Sequence, residues 1–80
     1  MRIPRDISAS VLIKKLKPFG YEITRQTGSH IRLTTQENGQ HHITVPNHNP
    51  IRIGTFASIL TKVAEHLGKT KDELVKELFS

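Results

Sequence analysis

The chain has 80 residues, no cysteine, 35% hydrophobic residues, and a net charge of +5 from 12 Lys and Arg against 7 Asp and Glu. Without cysteine, disulfides, iron–sulfur clusters, thiol catalysis and Cys-based zinc sites are excluded, and no apolar run approaches the ~18 residues of a membrane span. The length fits one domain over residues 1–80, burying only roughly 60–65% of the surface that its unfolded chain exposes. The opening Met1-Arg2-Ile3-Pro4-Arg5-Asp6 lacks the apolar run of a signal peptide, so a soluble cytoplasmic protein is expected.

The first predicted element is a helix from Ser8 to Lys17, with Leu12, Ile13 and Leu16 on one stripe and Lys14, Lys15 and Lys17 elsewhere on its surface. Asp6 and Ser8 both qualify as its N-cap, and Pro18 and Gly20 end it. Three strands follow. Tyr21 to Gln26 alternates with Tyr21 and Ile23 on one face, His30 to Thr35 with Ile31 and Leu33 inward, and Gln40 to Pro46 with Ile43 and Val45 inward. A three-residue loop, Glu37-Asn38-Gly39, pairs Leu33 with Ile43 and Ile31 with Val45 and so keeps the faces pure. At Gly28-Ser29 a plain two-residue turn would put His30 on the face of Ile23, whereas an odd loop or a bulge leaves it on the opposite, open face.

After the turn-rich Pro46-Asn47-His48-Asn49-Pro50, a long helix is expected with Thr55 as N-cap. Its stripe is Phe56, Ile59, Leu60, Val63 and Leu67, and Gly68 closes it. Thr70-Lys71-Asp72-Glu73 fits a capping box that starts a short last helix carrying Leu74, Val75, Leu78 and Phe79. The order predicts an α+β fold in which helices cover one face of a three-stranded antiparallel sheet. His30, Arg32, Thr34, His42 and Thr44 then lie on the other, in water.

Charge is concentrated in the N-terminal part. Residues 1–54 hold eight basic and three acidic side chains, whereas residues 55–80 hold four of each. A basic portion on a neutral helical support fits a polyanion-binding face. With no Trp, one Tyr and three Phe, all read as core, base stacking on sheet aromatics is not expected. His41, His42 and His48 do not match a zinc-binding spacing, so no metal site is expected. His48 reads as a structural loop residue and His66 as a partner of its helix C-terminus.

Gly28-Ser29-His30, then Val45-Pro46-Asn47-His48, then Gly54-Thr55-Phe56 leading into Ser58-Ile59-Leu60, resemble the HicA toxins of bacterial toxin–antitoxin pairs. Leu12-Ile13-Lys14-Lys15-Leu16, Phe19-Gly20-Tyr21 and Arg25-Gln26 fit the same family, so that the resemblance runs from about Ser8 to Phe79. It implies a fold similar to a double-stranded-RNA-binding domain, endoribonuclease action on messenger RNA, and a HicB-type antitoxin that covers the toxin's site. It also implies that the histidine of Gly-Ser-His, here His30, is catalytic. Imidazole suits that chemistry because it titrates near neutrality, and cleavage by a 2′-hydroxyl calls for no cofactor. Arg32 and Arg25 are candidate phosphate contacts, with backbone N–H groups at Gly28 and Ser29 and the lysines Lys14 and Lys15 as further RNA contacts. A non-catalytic RNA-binding module and a protein-docking adaptor are the alternatives for the same residues.

Overall fold

The computed structural model describes residues 3–79; Met1, Arg2 and Ser80, and with them the start of the opening segment, lie outside the described residues. The elements are α1 (Ala9–Leu16), a 3-10 turn over Lys17–Phe19, β1 (Glu22–Thr27), β2 (His30–Thr35), β3 (His41–Pro46), α2 (Ile53–Leu67) and α3 (Lys71–Phe79). The fold is thus the expected α+β arrangement, in the helix–three-strand–helix order of a double-stranded-RNA-binding domain with a C-terminal helix added. Of the two candidate caps, Ser8 is the one used: its hydroxyl accepts from Val11 N–H at 3.2 Å.

The sheet is antiparallel in the order β1-β2-β3. Leu33 pairs with Ile43 and Ile31 with Val45, the register expected from the faces. At the first hairpin both devices are combined. Thr27 pairs with His30 across a two-residue turn, and a bulge between Ile23 and Arg25 resets the alternation. Arg25 and Thr27 consequently share the open face with Arg32 and His30.

The core is continuous: Leu12 and Leu16 of α1, Tyr21, Leu33 and Val45 of the sheet region, Leu60 and Val63 of α2 and Leu74 of α3 are all fully buried. Each such aliphatic side chain contributes about 1.5–3 kcal/mol relative to leaving it in water. Ile23 does not join them; at 53% exposure it corrects the expectation of an inward β1 residue. It points to the helix side opposite Leu33, but α1 and α2 pack over β3, at the far side of the sheet, so the β1 edge is left uncovered.

Thr55 is not the cap of α2. The helix begins at Ile53, with Arg52 as N-cap and no side-chain cap bond. The start is set upstream, where Ile51 N–H donates to Ile7 carbonyl at 2.8 Å and the buried Ile51 side chain pins the chain. The exposed first turn leaves its free N–H groups to water. At the other end Gly68 N–H donates to Glu65 carbonyl and Lys69 N–H to Ala64 carbonyl, a Schellman closure with Gly68 left-handed at φ 69°. The capping box of α3 forms in both directions: Glu73 N–H donates to Thr70 Oγ1 at 3.1 Å, and Thr70 N–H donates to Glu73 Oε1 at 2.8 Å. Donation to its carboxyl from the Thr70 backbone N–H first, and then from the Thr70 side chain, holds Glu73 below the usual carboxylate range.

The turn end of the β2–β3 hairpin is fastened to α2. His66 Nε2–H lies 2.9 Å from Glu37 carbonyl and 3.0 Å from Gly39 carbonyl, and Asn38 Nδ2 donates to His66 carbonyl at 2.6 Å. The His66 ring stacks on His41 with centroids 4.3 Å apart, and His41 Nδ1 shares a 2.8 Å hydrogen bond with the Tyr21 hydroxyl. Burial pushes the Tyr21 hydroxyl up to about 12. His41 is held below the usual imidazole range by burial first, then by the positive fields of His66, His42 and Lys62.

Candidate functional site

The residues of the open sheet face fall into three rows. Thr27, His30 and Pro46 form the first, Arg25, Arg32 and Thr44 the second, and Glu22, Thr34 and His42 the third. Outward residues two apart on β2 are separated by about 6.6 Å at a strand rise of 3.3 Å per residue. A shallow concavity of about 390 Å³ spans these rows and includes Arg25, Thr27, His30, Arg32, His42 and Thr44, with Lys62 arriving from α2.

His30 is solvent-exposed on this face, beside the turn that presents it. Gly28 occupies the left-handed region at φ 56°, which glycine adopts without strain and which a side chain disfavours. The turn is tied down: Asn47 N–H donates to Ser29 carbonyl at 2.6 Å, and His48 carbonyl in turn accepts from Ala9 N–H at 3.1 Å. His48 thus serves through its backbone, as a loop residue joining the hairpin to the start of α1.

Arg25 and Arg32 stand directly opposite each other. Like charges in that position repel. Among the described residues no carboxylate forms an ion pair with Arg25, Arg32 or Lys62; Lys69 pairs instead with Glu77 at 2.8 Å, far along the chain on the α3 side. The concavity therefore gathers three exposed cations and two imidazoles, His30 and His42. The described residues bring together no group of three His, Cys, Asp or Glu side chains with metal-binding geometry.

Thr34 sits on the open face as expected but is only 8% exposed, because hydroxyl and ring close over it. Its Oγ1 lies 2.8 Å from Thr24 Oγ1 and 2.7 Å from His42 Nδ1. Lys14 is not part of this site. With Lys17 it lines a second groove between α1 and β1, floored by Ile13, Ile23 and Ile31. Lys15 is exposed on α1 and does not line the concavity. Lys62 was missed from the sequence; its signal was its spacing three residues after the inward Ile59, which turns it off the buried stripe toward the β3 edge.

Helices packed on one face of a three-stranded antiparallel sheet, and an opposite face holding unpaired cations and two histidines, define a small α+β protein built around one exposed functional surface. The family described as HicA toxin of bacterial toxin-antitoxin matches residues 9–65, more than half of the chain and all of the sheet. The chain belongs to the HicA toxin family, the toxin component of a toxin–antitoxin pair, which implies an antitoxin as its partner. No curated protein and no solved structure gives a significant match. No helix among the described residues is long and apolar enough to cross a membrane.

Proposed function

We propose that this toxin is a metal-independent endoribonuclease that cleaves messenger RNA and thereby blocks translation, with His30 as its general acid and base. The observation that supports this most is the exposed imidazole of His30 one row from the Arg25–Arg32 pair, with no carboxylate among the described residues ion-paired to either guanidinium. In the proposed step His30 takes the proton of a ribose 2′-hydroxyl, whose oxygen attacks the adjacent phosphorus. The bond from phosphorus to the 5′-oxygen breaks, and that oxygen receives a proton. Positioned proton transfer of this kind contributes roughly 10²–10⁴-fold. Arg32 and Arg25 hold the non-bridging oxygens, where charge builds up in the transition state, and Lys62 adds to the field. Backbone N–H groups at Gly28 and Ser29 line the entry beside His30. Lys14 and Lys15 lie outside this arrangement, so any RNA contact they make is to a more distant part of the strand. A HicB-type antitoxin that covers the His30 face would inhibit by occupying the same surface.

The test is incubation of the purified chain with a defined messenger RNA in excess chelator. The expected products carry 2′,3′-cyclic phosphate and 5′-hydroxyl ends, and a 2′-deoxy substitution at the cut nucleotide abolishes that cut. RNA binding without cleavage would make the chain a passive RNA-binding module. Tight antitoxin binding with no RNA affinity would make it an adaptor.

A further inference from the structure

From the Thr24–Thr34–His42 chain we infer that His42 is a base-recognition residue, which reads one nucleotide flanking the scissile phosphate and gives the cleavage a sequence preference. This rests on the ribonuclease reading and extends it to a specificity position.

His42 is exposed and lines the same concavity as His30, yet its ring is not free to turn. Its Nδ1 is anchored 2.7 Å from Thr34 Oγ1, and that hydroxyl is itself braced 2.8 Å from Thr24 Oγ1. Thr24 is the residue extruded by the β1 bulge, so the bulge that returns Arg25 to the open face also supplies the second hydroxyl. A surface histidine on a strand needs no such support. An oriented imidazole is what recognition of a planar partner requires, because the ring face and Nε2 must be presented in one direction.

Position argues against a second proton carrier. His42 pairs with Thr34, four residues along β2 from His30, about 13 Å at the strand rise, with the Arg25–Arg32–Thr44 row between them. That separation is too long for both rings to act on one phosphate. It is the span of about two nucleotides of an extended strand lying in a positively charged groove. A phosphate at His30 places the neighbouring backbone over Arg25 and Arg32. The row beyond offers hydroxyls, an imidazole and the Glu22 carboxylate but no guanidinium, which suits a base and repels another phosphate.

The hydrogen-bond chain is also reversible. When the threonine hydroxyls donate toward His42 Nδ1, Nε2 carries a proton and donates to a base acceptor. When Nδ1–H donates to Thr34, Nε2 accepts from a base amino group. The ring face stacks in either state, and histidine is among the side chains on which unpaired RNA bases stack.

Two measurements test this. The first maps cleavage of a random-sequence RNA pool by the intact protein, by His42→Ala and by Thr34→Val, which keeps the shape of Thr34 and removes its hydroxyl. The expected wild-type map shows a base preference at one fixed position near the cut. His42→Ala flattens it by about five-fold or more, the low end of what one stacked base contributes. Thr34→Val flattens it less. An unchanged preference in His42→Ala overturns the inference, since a ring that only braced the sheet would not alter which base is chosen. The second follows the His42 ring signals by NMR in the His30→Ala protein as a short single-stranded RNA is added. Movement of those signals supports the contact, and their constancy while the Arg32 signals move overturns it. This arm does not depend on cleavage, so it separates failure of the base contact from failure of the ribonuclease proposal.

Discussion

Replacing Arg25 and Arg32 together by glutamine should make the protein more stable and a poorer RNA binder. The two guanidinium groups face each other across β1 and β2, and no described carboxylate pairs with either. Directly opposed like charges on adjacent strands cost about 0.2–1 kcal/mol, so the double variant should gain that much, read as a higher urea midpoint at unchanged slope. Binding moves the other way. With Arg25, Arg32 and Lys62 as three phosphate contacts at about 0.7 each, log affinity falls with log salt at a slope of about −2; with Lys62 alone the slope is about −0.7. A fourfold rise in salt then weakens binding about 18-fold in the parent and about 3-fold in the variant. Fluorescence anisotropy of a labelled single-stranded oligonucleotide measures both, in a His30→Ala background so that the RNA stays intact. A variant that keeps the parental salt slope would refute the placement of the strand over these arginines.

Three further outcomes are expected. Tyr21→Phe removes the hydroxyl bonded to His41 and should cost about 0.5–1.5 kcal/mol in urea unfolding, the net worth of one hydrogen bond. His41 resists protonation in the folded state, so the unfolded chain takes up the proton first as pH falls. Its contribution is fully present above about 6.5, the ordinary imidazole value, and is lost progressively below it. Urea midpoints measured across that range should fall with pH, and less so in His41→Gln. Among the glycines, Gly68 holds the left-handed C-cap at φ 69°, whereas Gly54 lies within α2 with nothing near the space a methyl group would fill. Gly68→Ala should therefore cost about 1 kcal/mol and Gly54→Ala should gain about 0.5–1 kcal/mol by thermal melting.

Most of the fold is legible in the residues because its apolar periods do not conflict. Leu33–Ile43 and Ile31–Val45 admit one register, and Thr70 with Glu73 admits one cap. Ile23 misled because alternation tells which side a residue points to, not whether a helix lies there, and β1 is an uncovered edge. Thr55 misled because a good capping residue lost to a start fixed by the anchoring of Ile51. At the candidate site, His30 and Arg32 were readable from strand parity once a bulge was allowed, whereas strict alternation in β1 leaves Arg25 on the side of Ile23 and only the bulge between them brings it opposite Arg32. Lys62 and the Thr24–Thr34–His42 chain were not readable, since both depend on residues far apart in sequence meeting across strands or between helix and sheet. The lysines of α1 carry charge without position, and the packing of α1 sends Lys14 and Lys17 to a different groove.

The central claim concerns one ring on the open sheet face, and the most direct measurement is the single-turnover RNA cleavage rate of His30→Ala beside the parent protein. The His30 side chain is exposed and makes no hydrogen bond within the described residues, so the variant should keep the parental circular dichroism spectrum and melting temperature. Its cleavage rate should drop roughly 10²–10⁴-fold, the worth of positioned proton transfer. A folded variant that cuts RNA at the parental rate would contradict the account.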